Sequence, residues 1–283
     1  MRCLGLSSFI SSLPIVLTFS WLASVKAFAV PITHNQLCKV KRKHTTRLFS
    51  EKLEVFGVTL KLAVDSQWSV ADRAATISER FTSEESLDLV HRLRRFSGGV
   101  LVGKRTVQED DPSLTVRRVF SDVQPTRIIL DSSLSLDAQK YKLFKDGLST
   151  IIYHAETVPD EETSSYASSK VICEKVPLSS SGRLDLRAVM ENIALQHDIN
   201  HLMVEGGPSV AVEFLEQGLV DRVILIQAQH VKFRDPYPSN LSTKKLSAYG
   251  LKLLGEFESG GDVVQCWSRP DTFWPTQDLS HWP

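Results

Sequence analysis

The chain is poor in cysteine, with four among 283 residues: Cys3, Cys38, Cys173 and Cys266. No two are closely spaced, which excludes a disulfide framework and the paired spacing of a zinc site. Cys173 and Cys266 are therefore read as small buried hydrophobes. No segment repeats. There is no G-x-G-x-x-G, P-loop, G-x-S-x-G or H-E-x-x-H sequence, so a Rossmann dinucleotide fold, a P-loop NTPase, an α/β-hydrolase elbow and a zincin are not indicated. His154-Ala-Glu156 matches the H-x-E of zinc deaminases, but no P-C-x-x-C follows it and no metal is expected.

Acidic residues are absent from positions 1–50, which carry seven basic ones: Arg2, Lys26, Lys39, Lys41, Arg42, Lys43 and Arg47. The formal charge of the whole chain is zero, so the remainder holds 26 basic against 33 acidic residues, a net of −7. A body that acidic lacks the basic face nonspecific nucleic-acid binding requires. Hydrophobic residues make up 42% and charged residues 23%, enough apolar material for a full core.

A long uninterrupted apolar run is also missing. Residues 4–22 are rich in Leu, Ile, Phe, Ser and Val, but Ser and Pro break them below a comfortable membrane span. The apolar core from Pro14 to Ala23 has the length of a signal-peptide h-region, and Val25-Lys26-Ala27 provides a cut before Phe28. The basic, acid-free stretch that follows has transit-peptide composition. A signal peptide to about residue 27 followed by a transit-like segment to 50 resembles the bipartite plastid presequence of algae with secondary plastids. The expectation is a plastid protein with no membrane segment in its mature form. A retained anchor and plain secretion are the alternatives.

From residue 53 onward strands and helices alternate. Val58, Leu60, Leu62 and Val64 put one apolar face on a strand. Thr82-x-x-Glu85 has the form of a capping box, and Leu87, Val90 and Leu93 form a helical stripe ending near Phe96. Further strands are expected at residues 99–102, 127–130, 150–153, 201–204, 223–226 and 263–267. Helices are expected around Leu186, Val189 and Ile193 and over residues 209–217, with Gly218 as the C′ residue. Polar stretches 156–169, 179–182 and 235–243 read as loops, and residues 269–283 as a loosely held tail. This order implies an α/β fold, a single domain over residues 53–268 built on a mostly parallel twisted sheet with helices on both faces.

Two segments carry the chemistry. In Val204-Glu205-Gly206-Gly207-Pro208-Ser209 an apolar strand meets two glycines and then a helix. Glycines allow close backbone approach, and a helix start offers free N–H groups to an anion. The alternative is a tight turn with Ser209 as N-cap. In Gly103-Lys104-Arg105-Thr106, read as a strand end and loop, Thr106 can hydrogen-bond a ribose or phosphate. Asp110 and Asp111 can accept from sugar hydroxyls, and Arg117 can grip a phosphate bidentately. The alternative there is a solvated loop stopped by Pro112.

Together the two segments resemble the 5-amino-6-(5-phosphoribosylamino)uracil reductase family, over residues 54–268. The family's V/L-x-G-x-x-T-V and D-D-P-x-L-T-V-R patterns are met from Val102 to Val107 and from Asp110 to Arg117. Its H-x-L-R is met by His91-Arg92-Leu93-Arg94. Its V-E-G-G-P-x and F/L-L-x-x-G-L-V-D are met from Val204 to Ser209 and from Phe214 to Asp221. The resemblance implies a dihydrofolate-reductase-like fold, NADPH as cofactor, a homodimer and a pyrimidine ribose-phosphate substrate. It implies NADPH contacts at Thr106, Asp110, Gly206, Gly207, Pro208, Ser209 and Val210. It implies substrate contacts at Ser78, Arg94, Leu114, Arg117 and Glu205, and it names no catalytic acid. The implied reaction moves a hydride to C1′ of the ribosylamino group, leaving a ribitylamino group in riboflavin biosynthesis.

The chain departs from the family in three places. The usual S-L-D-G reads Asp65-Ser66-Gln67-Trp68, Arg80 stands where many members have Trp, and Val231-Lys-Phe-Arg-Asp-Pro replaces a glycine-rich segment. A same-fold reductase with another substrate, and a non-catalytic scaffold of the pathway, are the competing expectations.

Overall fold

The computed structural model describes residues 57–73, 80–167, 170–272 and 279–281. The presequence reading, 1–50, and the expected substrate contact Ser78 lie outside the described residues. Strand β1 (Gly57–Asp65) carries the alternation read from the sequence, and Val58, Leu60, Leu62 and Val64 are buried together on one face. It lies inside a nine-stranded sheet with β7 (His201–Val204) on one side and β8 (Arg222–Ala228) on the other, both parallel to it. Beyond β7 follow β3 (Gly99–Gly103), β4 (Thr126–Leu130), β5 (Thr150–Ala155) and β6 (Val171–Val176), all parallel. Beyond β8 the direction reverses with β11 (Asp262–Ser268), and β10 (Lys252–Ser259) forms the antiparallel edge.

Neighbouring residues along each central strand serve opposite faces, because side chains alternate with a period of two. Leu101, Ile128, Ile151 and Leu225 pack under helices α3 (Leu186–Gln196), α4 (Pro208–Glu216) and α5 (Thr243–Ala248). Val102, Ile129, Ile152 and Ile226 pack under α1 (Glu84–Phe96) and α2 (Lys104–Asp110). Both faces are covered, as expected from runs such as Val223-Ile-Leu-Ile226, which are apolar throughout. No helix among the described residues is long and apolar enough to cross a membrane.

Several local expectations are corrected. The N-cap of α1 is Ser83, not Thr82: its hydroxyl accepts from the Ser86 N–H at 3.1 Å. The shift has a tertiary cause. The Ser83 N–H donates to Asp262 Oδ2 at 2.8 Å and its hydroxyl donates to the Ser259 carbonyl at 2.8 Å. The charged segment after Gly103 is a helix rather than a loop. Lys, Arg, Gln and Glu are good helix formers, Val107 anchors the inner face, and Asp111 closes the end with φ 38° before Pro112. Ser209 is not a cap. Gly207 holds that position and Pro208 is the first helical residue, where its missing N–H is harmless. The far end of α4 is as expected. Gly218 takes φ 70°, with Gly218 N–H to Leu215 O at 3.1 Å and Leu219 N–H to Phe214 O at 2.9 Å, a Schellman closure.

Two of the three stretches read as loops hold structure too, while residues 179–182 form a turn as read. A 3₁₀ segment, Asp160–Tyr166, seats a buried Tyr166. Strand β9 (Pro236–Pro238) pairs with β2 (Ser69–Asp72), and α5 begins at Thr243. In the tail, Leu279 packs against the α1-side core. Cys173 is half-buried and Cys266 buried, both free thiols pushed up by burial, to about 11 and about 12.

Candidate active site

At the carboxyl ends of β1, β3 and β7 the α1 side of the sheet gathers charge. Glu205 follows β7 directly, and Arg94, in the last turn of α1, meets it in a bidentate pair. Nε lies 2.6 Å from Oε1 and Nη2 2.8 Å from Oε2, with the two side chains only 11% and 8% exposed. The third guanidinium nitrogen, Nη1, donates to the Thr115 carbonyl at 3.1 Å, so α1, β7 and the segment after α2 are locked together. Burial alone would raise the Glu205 carboxyl. The charge and hydrogen bonds of Arg94, with Lys61, hold it below the ordinary carboxylate value, so it is ionised.

Lys61 comes from β1, one step beyond the Leu60–Val204 register pair. Burial pushes its ammonium below the ordinary lysine value; Glu205 opposes this and Arg94 adds to it. His91, one turn before Arg94 on α1, accepts the Arg117 N–H on Nδ1 at 3.0 Å. Burial, then Arg94 and Arg117, lower its pKa to about 4, so the ring is neutral. Arg117 itself is exposed. Its pKa falls because part of its guanidinium is shielded from water and because the cations Arg94, Arg80 and Arg118 are near. Arg118 is held by Glu84 and Asp88, each at 2.6 Å. Arg117 has no carboxylate within ion-pair distance among the described residues, although it stands in the field of Glu205.

The second part of the site is a glycine cradle. A Cβ on Gly206 would stand 2.7 Å from Val210 Cβ, and one on Gly103 would stand 2.9 Å from Val210 Cγ2. Only glycine lets β3 and the start of α4 come this close. Gly207 differs, because a Cβ there would meet only Thr106 Oγ1, at 3.7 Å. No side chain caps α4, and Pro208 has no N–H, so the Ser209 and Val210 N–H groups at the positive end of the helix are available to an anion. Thr106 and Asp110, four apart, share one face of α2. The N–H groups at the α4 start, the open space at Gly207 and the Thr106 hydroxyl are chemically suited to an anion such as a diphosphate.

The structure thus brings Arg94, Arg117 and Glu205 together, and Thr106 with residues 206–210. Two others have side chains engaged within the protein. The Leu114 side chain is buried in the α1-side core, with its backbone at φ 52°. Asp111 accepts the Lys142 N–H at 2.9 Å and faces Lys142 Nζ at 3.5 Å, a tie between loops rather than an open acceptor. The substituted S-L-D-G segment keeps a turn by other means. Asp65 Oδ1 accepts from the Gln67 and Ser69 N–H groups at 2.9 and 2.8 Å, and Oδ2 from Phe233 at 3.0 Å. Trp68 then occupies the left-handed region, φ 65°, at the place of the family's glycine.

Lys61 was not foreseen; its signal is a lone charge inside the apolar alternation Val-Thr-Leu-Lys-Leu-Ala-Val. Tyr237, on β9, was not foreseen either. It lies between Arg73 and Arg105, whose guanidinium carbons stand 5.3 and 5.1 Å from its ring centre. Among the described residues no group of three or more His, Cys, Asp and Glu side chains could hold a metal ion.

Residues 58–230 match the family described as the RibD C-terminal domain. The riboflavin biosynthesis protein RibD of Aquifex aeolicus is 33% identical over 174 residues, 62% of this chain and 46% of that protein. The chain thus spans about half the length of that relative. A protein of Methanothermobacter thermautotrophicus named 2,5-diamino-6-ribosylamino-4(3H)-pyrimidinone 5′-phosphate reductase is 33% identical over 151 residues, 53% of this chain and 67% of that one. Among solved structures, Acinetobacter baumannii RibD superposes with a TM-score of 0.63 at 22% identity, over 75% of this chain and 58% of that one. At that identity the superposition speaks for the fold, a mostly parallel sheet shared with RibD. With the sequence match running from β1 through β8, the chain belongs to the RibD C-terminal domain family.

Proposed function

We propose that the chain is an NADPH-dependent reductase that converts 5-amino-6-(5-phosphoribosylamino)uracil to its ribitylamino product in riboflavin biosynthesis. The observation that carries this reading is the buried Arg94–Glu205 pair standing beside an uncompensated Arg117, across the carboxyl edge of the sheet from the glycine cradle. Residues 206–210, Thr106 and Asp110 are suited to hold the dinucleotide, whose dihydronicotinamide supplies a hydride when bound. Glu205 and Arg94, fixed in one geometry, orient the ribitylamine precursor; Arg117 takes its phosphate. Reduction of the ring-opened imine makes C1′–N a single bond and leaves the nitrogen needing a proton. Glu205, held ionised, has none to give. Lys61, an ammonium whose pKa burial has lowered, is suited to hand one over.

Oxidation of NADPH by the purified chain with this substrate tests the reading. Turnover of the undeaminated 2,5-diamino pyrimidinone phosphate instead, the substrate in the name of the Methanothermobacter relative, would move the chain to the other order of the two pathway steps. NADPH binding without turnover of either would favour another substrate, and no NADPH binding a scaffold. A homodimer and plastid delivery stay part of the proposal. Sedimentation tests the first, and a fluorescent fusion of residues 1–52 the second; export to the medium would overturn plastid delivery.

A further inference from the structure

Two of the segments in which the chain departs from its family face each other. The Asp65 carboxylate takes the Gln67 and Ser69 N–H groups on one oxygen and the Phe233 N–H on the other. Ser66 gives both its N–H and its hydroxyl to the Val231 carbonyl, at 2.9 and 2.7 Å. Farther out, Asp72 accepts the Arg234 N–H at 2.9 Å, the Arg73 N–H donates to Asp235 O at 2.7 Å, and the Ser239 N–H to Trp68 O at 3.0 Å. Strands β2 and β9 are thus bolted into one ribbon, which leaves the sheet from the adjacent carboxyl ends of β1 and β8.

The sheet order fixes where this ribbon runs. Strand β7 lies between β1 and β3, and α2 begins where β3 ends. Tyr237 of β9 nonetheless reaches α2. The Arg105 guanidinium carbon stands 5.1 Å from its ring centre, and Arg105 Nη1 donates to its hydroxyl oxygen at 3.3 Å. Arg73, from the ribbon itself, stands 5.3 Å from the same ring centre. A contact from the β1 and β8 ends to the end of β3 spans the carboxyl end of β7, where Glu205, Gly206 and Gly207 emerge. The ribbon also touches the entry to α1, where Phe233 meets Phe81 edge-on with ring centres 5.0 Å apart.

We propose that the ribbon is a strap across the cleft, and that Tyr237, clasped by Arg105, is the positioning residue that holds it over the bound dinucleotide. Arg105 directly precedes Thr106, so the clasp fastens the strap to the wall of the dinucleotide site. This rests on the function proposed above for the same site. The clasp takes no part in hydride transfer; it sets how long the cofactor stays. It also makes the two departures from the family a single one, since the Asp65 carboxylate and the segment from Val231 build the same strap.

The test uses the full chain. NADPH release is followed by stopped-flow fluorescence, and hydrogen exchange at the Arg73 and Ser239 amides is read without cofactor. Tyr237→Leu and Arg105→Gln each remove the cation–ring contact, and the worth of an exposed one predicts release about twofold to fivefold faster. The double variant should release no faster than either single one, because both lose the same contact. Tyr237→Phe keeps the ring and should release NADPH near the wild-type rate. So should Glu109→Gln, which breaks the 2.6 Å pair of Arg105 within α2 and leaves the ring in place. Arg105 is exposed and Tyr237 half-buried, so every variant should melt near the wild type, while exchange at the two ribbon amides quickens in Tyr237→Leu. Unchanged NADPH release in Tyr237→Leu would overturn the inference. Faster release in Arg105→Gln alone would overturn it too, making Arg105 a direct contact of the dinucleotide. If the wild type bound no NADPH while Tyr237→Leu still loosened the ribbon, the strap would stand and the proposed cofactor would fall.

Discussion

Arg94 and Glu205 lie 111 positions apart in the chain and share two parallel hydrogen bonds, 2.6 and 2.8 Å long, in a site nearly closed to water. Removing one partner of such a pair strands a buried charge, whereas replacing both with apolar groups can be neutral. Glu205→Ala should therefore destabilise the fold by about 3–5 kcal/mol, read from urea unfolding. The double variant Arg94→Met, Glu205→Leu should regain most of that stability and no activity. A loss under about 1 kcal/mol in Glu205→Ala would mean that the pair is solvated after all.

Arg117 has the opposite profile. Its side chain is exposed, so Arg117→Ala should leave the melting temperature near the wild-type value. The substrate KM should rise about tenfold to a hundredfold, the worth of a charge-assisted hydrogen-bonded contact. The NADPH KM should hardly move. A change confined to the NADPH term would place Arg117 on the wrong side of the cleft.

The glycines of the cradle should separate packing from binding. An alanine Cβ at Gly206 would stand 2.7 Å from Val210 Cβ, so Gly206→Ala should lower both stability and NADPH affinity. At Gly207 the nearest neighbour is Thr106 Oγ1 at 3.7 Å, ordinary contact. Gly207→Ala should keep its melting temperature while NADPH binding, followed by fluorescence, falls. Unchanged NADPH affinity in Gly207→Ala would remove the diphosphate from this cradle.

Acid should unfold the protein partly through two histidines. His91 and His201 each titrate at about 4, below the ordinary 6.5, chiefly because they are buried. His201 bonds Thr59 Oγ1 at 2.9 Å and Ser97 Oγ at 3.2 Å through its two ring nitrogens. The unfolded chain takes up these protons as pH falls through 6.5, and the folded chain does so only near 4. Their contribution to stability is therefore complete above 6.5 and is lost as the pH falls from there toward 4. Thermal melts across that window should show a falling midpoint, with a shallower slope in His201→Gln. Equal slopes in the two proteins would remove His201 from the explanation.

The parts of this site legible in the sequence are those where one strong local signal dominates. The apolar strand ending in Glu205-Gly206-Gly207 and the strand ending in Gly103 fell where they were expected, because buried parallel strands are apolar on both faces. The edges were opaque for the complementary reason. In β6, Ile172 is half exposed, and in β10 Leu253 and Leu254 face solvent, so neither strand shows a clean alternation. Strands β2 and β9 are too short for any period, and Pro236 and Pro238 argue against a strand. Arg94 and Glu205 were each reached through family motifs, as substrate contacts; their pairing was not foreseen, since nothing local ties two residues so far apart. The turn at Asp65–Trp68 hid a left-handed tryptophan, a conformation set by the Asp65 carboxylate and the Phe233 amide, which lie 168 positions apart.

The placement of β1 has a consequence for how the chain is made. Its first residue pairs with His201 and its third with Arg222, so no neighbour for this strand exists until most of the polypeptide has been synthesised. The cap of α1 waits longer still, for Asp262. Pairing at such separations makes folding slow, and meanwhile Gly-Val-Thr-Leu-Lys-Leu-Ala-Val is an exposed strand in search of an edge. Before the closing Asp65, its single charge is Lys61. A charge inside such a strand is the kind of feature that opposes stacking of unfolded chains on one another.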